Sequence, residues 1–307
     1  MQPIRAAVVV NPVSGNGSTG KLWPVIARVM KQEGFNFEYR FTGAPGEATV
    51  LTSNFLSQGN ELIISVGGDG TVNEVINGFF LAEEAVRRKV SLGIISSGTG
   101  RDLIKTLGTP LNFTEAARRI YRNPSFPVDA GKVKYNGGSG QEVRYFLNVA
   151  GMGLDGDIVN RVNRTSKALG GFVSFLGGTV ASLFRYQNKK MKITVDGKEI
   201  CNEPITFIAV ANGRYFGGGM FIAPHALMDD GSFDIIIARN LSKSDLLLNL
   251  PKVYRGKHLD HPRITSLRGR VINVESDDCP LLNLDGEQPG CASAEMEIQP
   301  RALNLRV

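Results

Sequence analysis

The sequence is poor in the residues that build disulfide frameworks, zinc sites and membrane spans. Three cysteines, three histidines and one tryptophan occur among 307 residues. Cys201, Cys279 and Cys291 are too few and too scattered for a disulfide framework and suit a reducing cytoplasm; Cys279 and Cys291, twelve apart, are read as without partners. His258 and His261 in "GKHLDHPR" have ligand-like spacing, but no third candidate stands beside them, so zinc is not indicated. No long apolar run occurs either. The longest uncharged stretch, "ALGGFVSFLGGTVASLF" (168–184), is interrupted by glycines and falls short of a spanning helix. With Arg164, Lys167, Arg185, Lys189 and Lys190 around it, that stretch is either a packed helix or a surface for a bilayer or acyl chain. The opening "MQPIRAAVVVNP" carries too short an apolar run for a signal-peptide core, so no secretory leader is expected. Repeats and low-complexity tracts are absent.

What is plentiful is glycine, 36 residues in all, which points to many tight turns or close approaches of backbone to a ligand. The net charge of +6 permits an anionic partner without choosing between membrane, nucleic acid and phosphate ligands.

Over residues 1–125, short apolar runs alternate with amphipathic ones. "RAAVVVN", "FNFEYRF", "ELIISV" and "VSLGIIS" read as strands, separated by the helical "GKLWPVIARVMKQEG", "GEATVLTSNFLSQG" and "NEVINGFF"; the helical "TEAARRIYR" follows. That order predicts a Rossmann-like parallel sheet with helices on both faces and ligands at the carboxyl ends of the strands. After the proline-bearing boundary "NPSFPVDAG", segments such as "DAGKVKY", "VRYFLNVAG", "MKITVDGKEIC", "ITFIAVANG" and "AEMEIQP" are strand-like and punctuated by Gly, Asp and Pro. Only 154–188 and 242–256 look helical there, so residues 126–301 are expected to form a mainly antiparallel β-sandwich. The expected fold is therefore α/β followed by β.

Three loops carry candidate chemistry in the first half. "NPVSGNGSTGKLW" has the glycine spacing of a Walker loop, but Leu22 follows Lys21 where such a loop needs a hydroxyl for magnesium. "SVGGDGTVNEVINGF" places Gly67, Gly68, Asp69 and Gly70 between a strand and a helix start near Thr71. Glycines let backbone N–H groups converge on an anion there, and the helix start adds positive potential. Asp69 repels such an anion and so is expected to have its own task, with magnesium or a nucleotide sugar. "IISSGTGRDL" repeats the small-residue turn at the next strand end, with Ser97, Gly98, Thr99 and Gly100.

In the second half, "NLDGEQ" offers Asp285 and Glu287; if extended, the segment would put both carboxylates on one face. "APHALMDDGSFDI" clusters acids around Asp230. "RVNRTSK" (161–167) reads as a solvated helix face.

In this order, "NPVSG", "GGDGTVNEV", "GTGRD", "DDGSFD" and "LDGE" resemble the soluble bacterial diacylglycerol kinase-like lipid kinases, relatives of sphingosine and ceramide kinases, over nearly the whole chain. "GGDGT" is shared with NAD kinases and phosphofructokinases, whereas Asn73-Glu74 after it looks like the lipid-kinase form. The resemblance implies ATP contacts at Asn11, Thr42, Gly67, Gly68, Asp69, Gly70, Thr71, Val72, Asn73, Glu74 and Thr99. It places the proton acceptor in the Asp-Gly-Glu, with Glu287 favoured over Asp285 and the reverse assignment open. A structural Mg²⁺ is implied at the Asp230 carboxylate with the carbonyls of Leu227 and Ser232, and Asp229 could exchange roles with Asp230. Arg101 departs from the commonest residue of its loop.

The implied activity is ATP- and Mg²⁺-dependent phosphorylation of a lipid hydroxyl. Diacylglycerol to phosphatidic acid leads, and a sphingoid base or phosphatidylglycerol-like lipid comes next. An NAD kinase or a non-catalytic nucleotide-binding regulator stands further behind. The implied setting is cytoplasmic, with contact at an anionic inner membrane face and room for a homodimer; no nucleic-acid partner is expected. The final "ALNLRV" (302–307) is expected to return to the first domain.

Overall fold

The structure, a computed structural model, describes residues 4–98, 100–138, 140–165 and 185–307. Thr99 and the apolar stretch 168–184 lie outside the described residues. The chain divides into two compact units, Met1–Asp129 with Pro300–Val307, and Ala130–Gln299.

The first unit runs β1 (Arg5–Val10), α1 (Ser18–Glu33), β2 (Asn36–Phe41), α2 (Glu47–Ser57), β3 (Leu62–Gly67), α3 (Asp69–Leu81), α4 (Glu84–Arg87), β4 (Ser91–Ser96), α5 (Asp102–Leu107) and α6 (Phe113–Arg122). β2, β1, β3 and β4 neighbour one another in that order, all parallel. Strands buried on both faces read as near-continuous apolar runs, and β1 and β3 do: "AAVVV" and "LIISV" are buried at every position, with Ser65 the one polar residue among them. α1 ends where its apolar stripe ends, at Gly34, whose φ of 103° suits glycine and stops the helix. α6 starts at Asn112, whose side chain accepts the N–H groups of Thr114 and Glu115. Trp23, Ile26 and Met30 of α1 and Ala117 and Ile120 of α6 close one face of the sheet.

The last strand, β14 (Cys291–Arg306), adds its C-terminal end to this sheet, parallel to β4, with Asn304 opposite Ser91. Asn123 and Arg306 hold it there, the Asn123 amide donating to the Val307 carbonyl and Arg306 Nε donating to the Asn123 carbonyl. At the outer edge, the Arg40 guanidinium caps the Tyr39 carbonyl at 3.0 Å, which blunts that edge against further pairing.

The second unit is antiparallel. Its strands are β5 (Phe126–Gly137, entering from the first unit), β6 (Gly140–Phe146), β7 (Val149–Gly153), β8 (Lys189–Val195), β9 (Lys198–Ala211), β10 (Phe233–Arg239), β11 (Ile264–Gly269), β12 (Val271–Glu275), β13 (Leu282–Leu284) and the first part of β14. α7 (Leu154–Thr165), α8 (Lys243–Val253) and a short 3-10 helix (Lys257–Asp260) are the described helices of this unit. β9 is the spine: its first half pairs β8, and its second half pairs both β7 and β10. Inward-facing residues along these strands, among them Met191, Ile193, Ile208, Val210, Ile235 and Met296, form one apolar core. This is the sandwich-like domain expected. Among the described residues no helix is long and apolar enough to cross a membrane.

One expectation is overturned. Cys279 and Cys291, read as without partners, form a disulfide with Cα atoms 5.3 Å apart. The reason is the β13 hairpin, which folds the chain back so that Leu282 N–H donates to the Gly290 carbonyl and Ala292 N–H to the Pro280 carbonyl. Spacing alone did not reveal a turn that brings residues 12 apart together. Cys201 is buried elsewhere and free.

Candidate active site

In the first unit, three loops at the carboxyl ends of β1, β3 and β4 are laced together. Asn11, at the end of β1, donates its side-chain amide to Thr71 Oγ1 at 2.9 Å. The Thr71 hydroxyl, accepting there, keeps its own proton for another acceptor. Thr19, in the first turn of α1, shares a 2.7 Å hydrogen bond with Ser97 after β4. Gly68 and Gly98 press backbone to backbone: a Cβ on Gly68 would stand 3.3 Å from Gly98 Cα. The glycines of the β3–α3 turn serve that close approach, not a left-handed backbone, since none of Gly67, Gly68 and Gly70 has positive φ. The left-handed stretch lies in the first loop instead, where Gly15, Asn16 and Gly17 have φ of 59°, 56° and 81°.

Gly68 before α3 offers no side-chain cap, so the backbone N–H groups at that helix start suit an anion, whereas at α1 the N–H groups of Ser18, Thr19 and Gly20 already donate to the carbonyls of Gly15, Ser14 and Pro12. α3 begins at Asp69, slightly earlier than the sequence suggested. The Asp69 carboxylate accepts the backbone N–H of Asp102 at 3.2 Å and so ties the third loop to the second. This gives Asp69 a structural task, distinct from the metal or sugar contact expected of it.

Of the other residues expected at a nucleotide, Thr42 is buried just after β2, its N–H donating to the Val10 carbonyl beside the first loop. Val72 and Asn73 are buried in α3, where Asn73 accepts from Asn77. Glu74 turns to α2, accepting the N–H groups of Gly46 at 2.8 Å and Ala48 at 3.1 Å. A carboxylate at a helix start is favourable there, and it occupies Glu74 away from the glycine turns.

In the second unit, Asp285 and Gly286 form the two-residue loop of a hairpin, with φ of 51° and 94°. Leu284 and Glu287 close it with reciprocal backbone hydrogen bonds of 2.8 and 2.9 Å. Asp-Gly favours this geometry because both central residues need positive φ. The segment is therefore a turn, and the expected extended alternation of its two acids does not occur.

The acids instead have different environments. Both oxygens of Asp285 accept backbone N–H groups, from Leu147 at 2.9 Å and from Asn148 and Val149 at 3.0 Å. Glu287 is exposed at the hairpin tip. Behind the turn, Gly286 N–H donates to Asn283 Oδ1 at 2.8 Å, and Asn283 Nδ2 donates to Asp155 Oδ2 at 2.8 Å. Asp155, in the first turn of α7, is buried, and burial pushes its carboxyl up to about 6, with the Asn283 hydrogen bond opposing. Asp155 and Asn283 were not singled out from sequence; the only available signal was the asparagine two positions before Asp285.

At the Asp-Asp-Gly turn, Asp230 Oδ1 accepts the Ser232 N–H at 3.1 Å, and the other oxygen pairs with Arg268. Arg268 also approaches the buried Asp234 at 3.7 Å; burial raises the Asp234 carboxyl, and Arg268 opposes that rise. A hard cation wants a cage of oxygens. Among the described residues no group of three or more His, Cys, Asp or Glu is placed to hold a metal ion. A site of one carboxylate and two backbone carbonyls is not a group of that kind; at Leu227, Asp230 and Ser232 the Asp230 carboxylate is paired with Arg268, with which a bound cation would have to compete.

Parallel strands ending in laced glycine turns, followed by a β-sandwich with an acidic hairpin, define a kinase of the two-domain type. Residues 5–133 match the diacylglycerol kinase catalytic domain, and residues 148–307 match the YegS C-terminal NAD kinase beta sandwich-like domain. A curated diacylglycerol kinase of Staphylococcus carnosus (strain TM300) is 30% identical over 93% of this chain and 89% of its own length. One from Bacillus subtilis (strain 168) is 28% identical over 95% and 92%. A solved structure from Bacillus anthracis str. Sterne superposes with a TM-score of 0.80 at 27% identity, covering 100% of this chain and 98% of that one. A yeast NADH kinase complexed with NADH shares the fold alone, with a TM-score of 0.51 at 10% identity, over 99% of this chain and 83% of that one. The chain belongs to the soluble bacterial diacylglycerol kinase-like lipid kinase family.

Proposed function

We propose that this kinase transfers the γ-phosphoryl group of ATP to the hydroxyl of a lipid alcohol, with diacylglycerol as acceptor and phosphatidic acid as product. The observation that carries the reading is the unequal treatment of two acids in one turn. Asp285 is saturated by three backbone donors and fixes the hairpin, whereas Glu287 stands exposed at its tip. A group locked in three hydrogen bonds is a poor proton acceptor, so Glu287 takes the base role. Its carboxylate accepts the lipid hydroxyl proton as that oxygen bonds to the γ-phosphorus, and the bond to the β-phosphate oxygen breaks to release ADP.

The triphosphate is assigned to the first unit. Thr71 Oγ1 donates a proton, Asn11 orients it, the uncapped backbone N–H groups at the start of α3 add donors, and Thr42 lies beside the first loop. Thr99 is assigned here from the family resemblance alone. Asn73 and Glu74 serve this site indirectly, by fixing α3 and the start of α2.

The test is incubation with γ-labelled ATP, Mg²⁺ and mixed vesicles containing dioleoylglycerol, a sphingoid base or phosphatidylglycerol, with NAD in a separate arm. Label in phosphatidic acid is the expected result. Label in another lipid alone would change the acceptor, and label only in NADP would overturn the lipid reading.

A further inference from the structure

We infer that Asp155 is a positioning residue for the Asp285–Gly286–Glu287 turn, acting through Asn283. The inference rests on the reading of Glu287 as proton acceptor.

A carboxyl group buried in the first turn of α7 is costly unless something there uses it. Its hydrogen bond is with the Asn283 amide, and the same amide accepts the N–H of Gly286, the residue between the two acids of the turn. An asparagine amide has two ends that are alike in shape and opposite in polarity. Next to a carboxylate, which only accepts, the Nδ2 end must face Asp155, and Oδ1 is left facing Gly286. Asp155 therefore selects the amide orientation that holds the turn.

The surrounding backbone is built for this contact. Gly151 pairs with Asn283 across β7 and β13, and a Cβ there would overlap the Asp155 carboxylate. A Cβ on Gly156 would overlap the Leu281 carbonyl, so α7 rests directly on the chain entering β13. Asp285 pins the turn to Leu147, Asn148 and Val149 from one side, and the Asp155–Asn283 pair pins it from the other. With both anchors in place, the backbone that carries Glu287 is held, and a displacement of about 1 Å of a proton acceptor costs on the order of a hundredfold in rate.

The experiment measures kcat and the KM for ATP in the full chain with dioleoylglycerol vesicles, alongside melting temperature. Asp155→Ala and Asn283→Ala are each expected to lower kcat by about tenfold or more with the KM for ATP unchanged. The double variant should be no worse than either single one. Asp155→Asn, whose amide oxygen can still accept from Asn283, should stay within a few-fold of wild type.

Should the alanine variants fold poorly, an exchange keeps the question open to refutation. Asn283→Asp sets two acids against each other and should lose kcat. Asp155→Asn combined with Asn283→Asp restores one donor facing one acceptor, and Gly286 still finds an oxygen, so kcat should return. Wild-type kcat in Asp155→Ala with an inactive Glu287→Gln would overturn the positioning role and leave the base assignment standing. Wild-type turnover in Glu287→Gln would instead overturn the base assignment. Failure of the exchange to restore kcat in a folded protein would also overturn the positioning role.

Discussion

Asn11 and Thr71, sixty positions apart in the chain, meet through a 2.9 Å hydrogen bond in which the threonine accepts and keeps its own proton for another acceptor. Thr71→Val keeps the shape of the side chain and removes that proton. Loss of a hydrogen bond to a charged phosphate costs about 2 kcal/mol, so ATP binding should weaken by roughly tenfold or more. Titration calorimetry with ATP checks this, and an unchanged affinity would remove Thr71 from the phosphate site. Asn11→Ala should weaken binding less, because the hydroxyl remains but loses its orienting donor.

Asp285→Asn and Glu287→Gln should both lose phosphoryl transfer, but for different reasons that melting temperature separates. An amide at 285 turns an NH₂ group toward backbone N–H donors that now meet an oxygen. Leaving buried donors unsatisfied costs about 1–3 kcal/mol. The Asp285→Asn protein should therefore melt several degrees lower. Glu287 is exposed, so Glu287→Gln should melt as wild type does and be inactive. ATP binding should stay within a few-fold in both. A low melting point for Glu287→Gln would show that it too is a structural acid.

The sequence made the strand-helix alternation of the first unit and the β character of the second legible, because buried parallel strands read as unbroken apolar runs and antiparallel ones are punctuated by turns. What it did not reveal were contacts made at long range. The glycines of "GGDGT" announced a special backbone, yet their reason is the press of Gly68 on Gly98, which only the fold supplies. Glu74 looked like part of the nucleotide loop by position, and the helix turn carries it to α2. "VRYFLNVAG" reads as one strand, and it divides into β6 and β7 around Leu147 and Asn148, whose N–H groups are taken by Asp285, more than a hundred residues later. The sequence likewise could not show that Asp285 is locked by three backbone donors while Glu287 is exposed, the difference on which the proposed base assignment is built.

The Cys279–Cys291 disulfide closes the loop that carries Asp285 and Glu287. Cross-linking a loop of this size is worth about 3 kcal/mol through the unfolded chain. Urea denaturation with and without a thiol reductant should show that loss in the wild type, and no response to reductant in a Cys279→Ser, Cys291→Ser double variant. If the wild type also ignores reductant, the two thiols are not joined in the folded protein.

Burial of Asp155 gives a pH dependence whose sign is fixed. Its carboxyl is raised from 3.8 to about 6 on folding, so between those values the folded chain holds a proton that the unfolded chain has released. Stability is then present in full below the unfolded value and is lost as pH rises through the folded one, a difference of about 3 kcal/mol for this fully buried group. Asp157 and Asp234, also raised by burial, act in the same direction. Asp155→Asn has nothing to ionise at this position and keeps an acceptor for Asn283. Its stability should therefore change less than that of the wild type between about pH 4 and pH 7, and the gap between the two urea midpoints should open in that window. Parallel curves would mean that Asp155 carries its charge in the folded chain as easily as in the unfolded one.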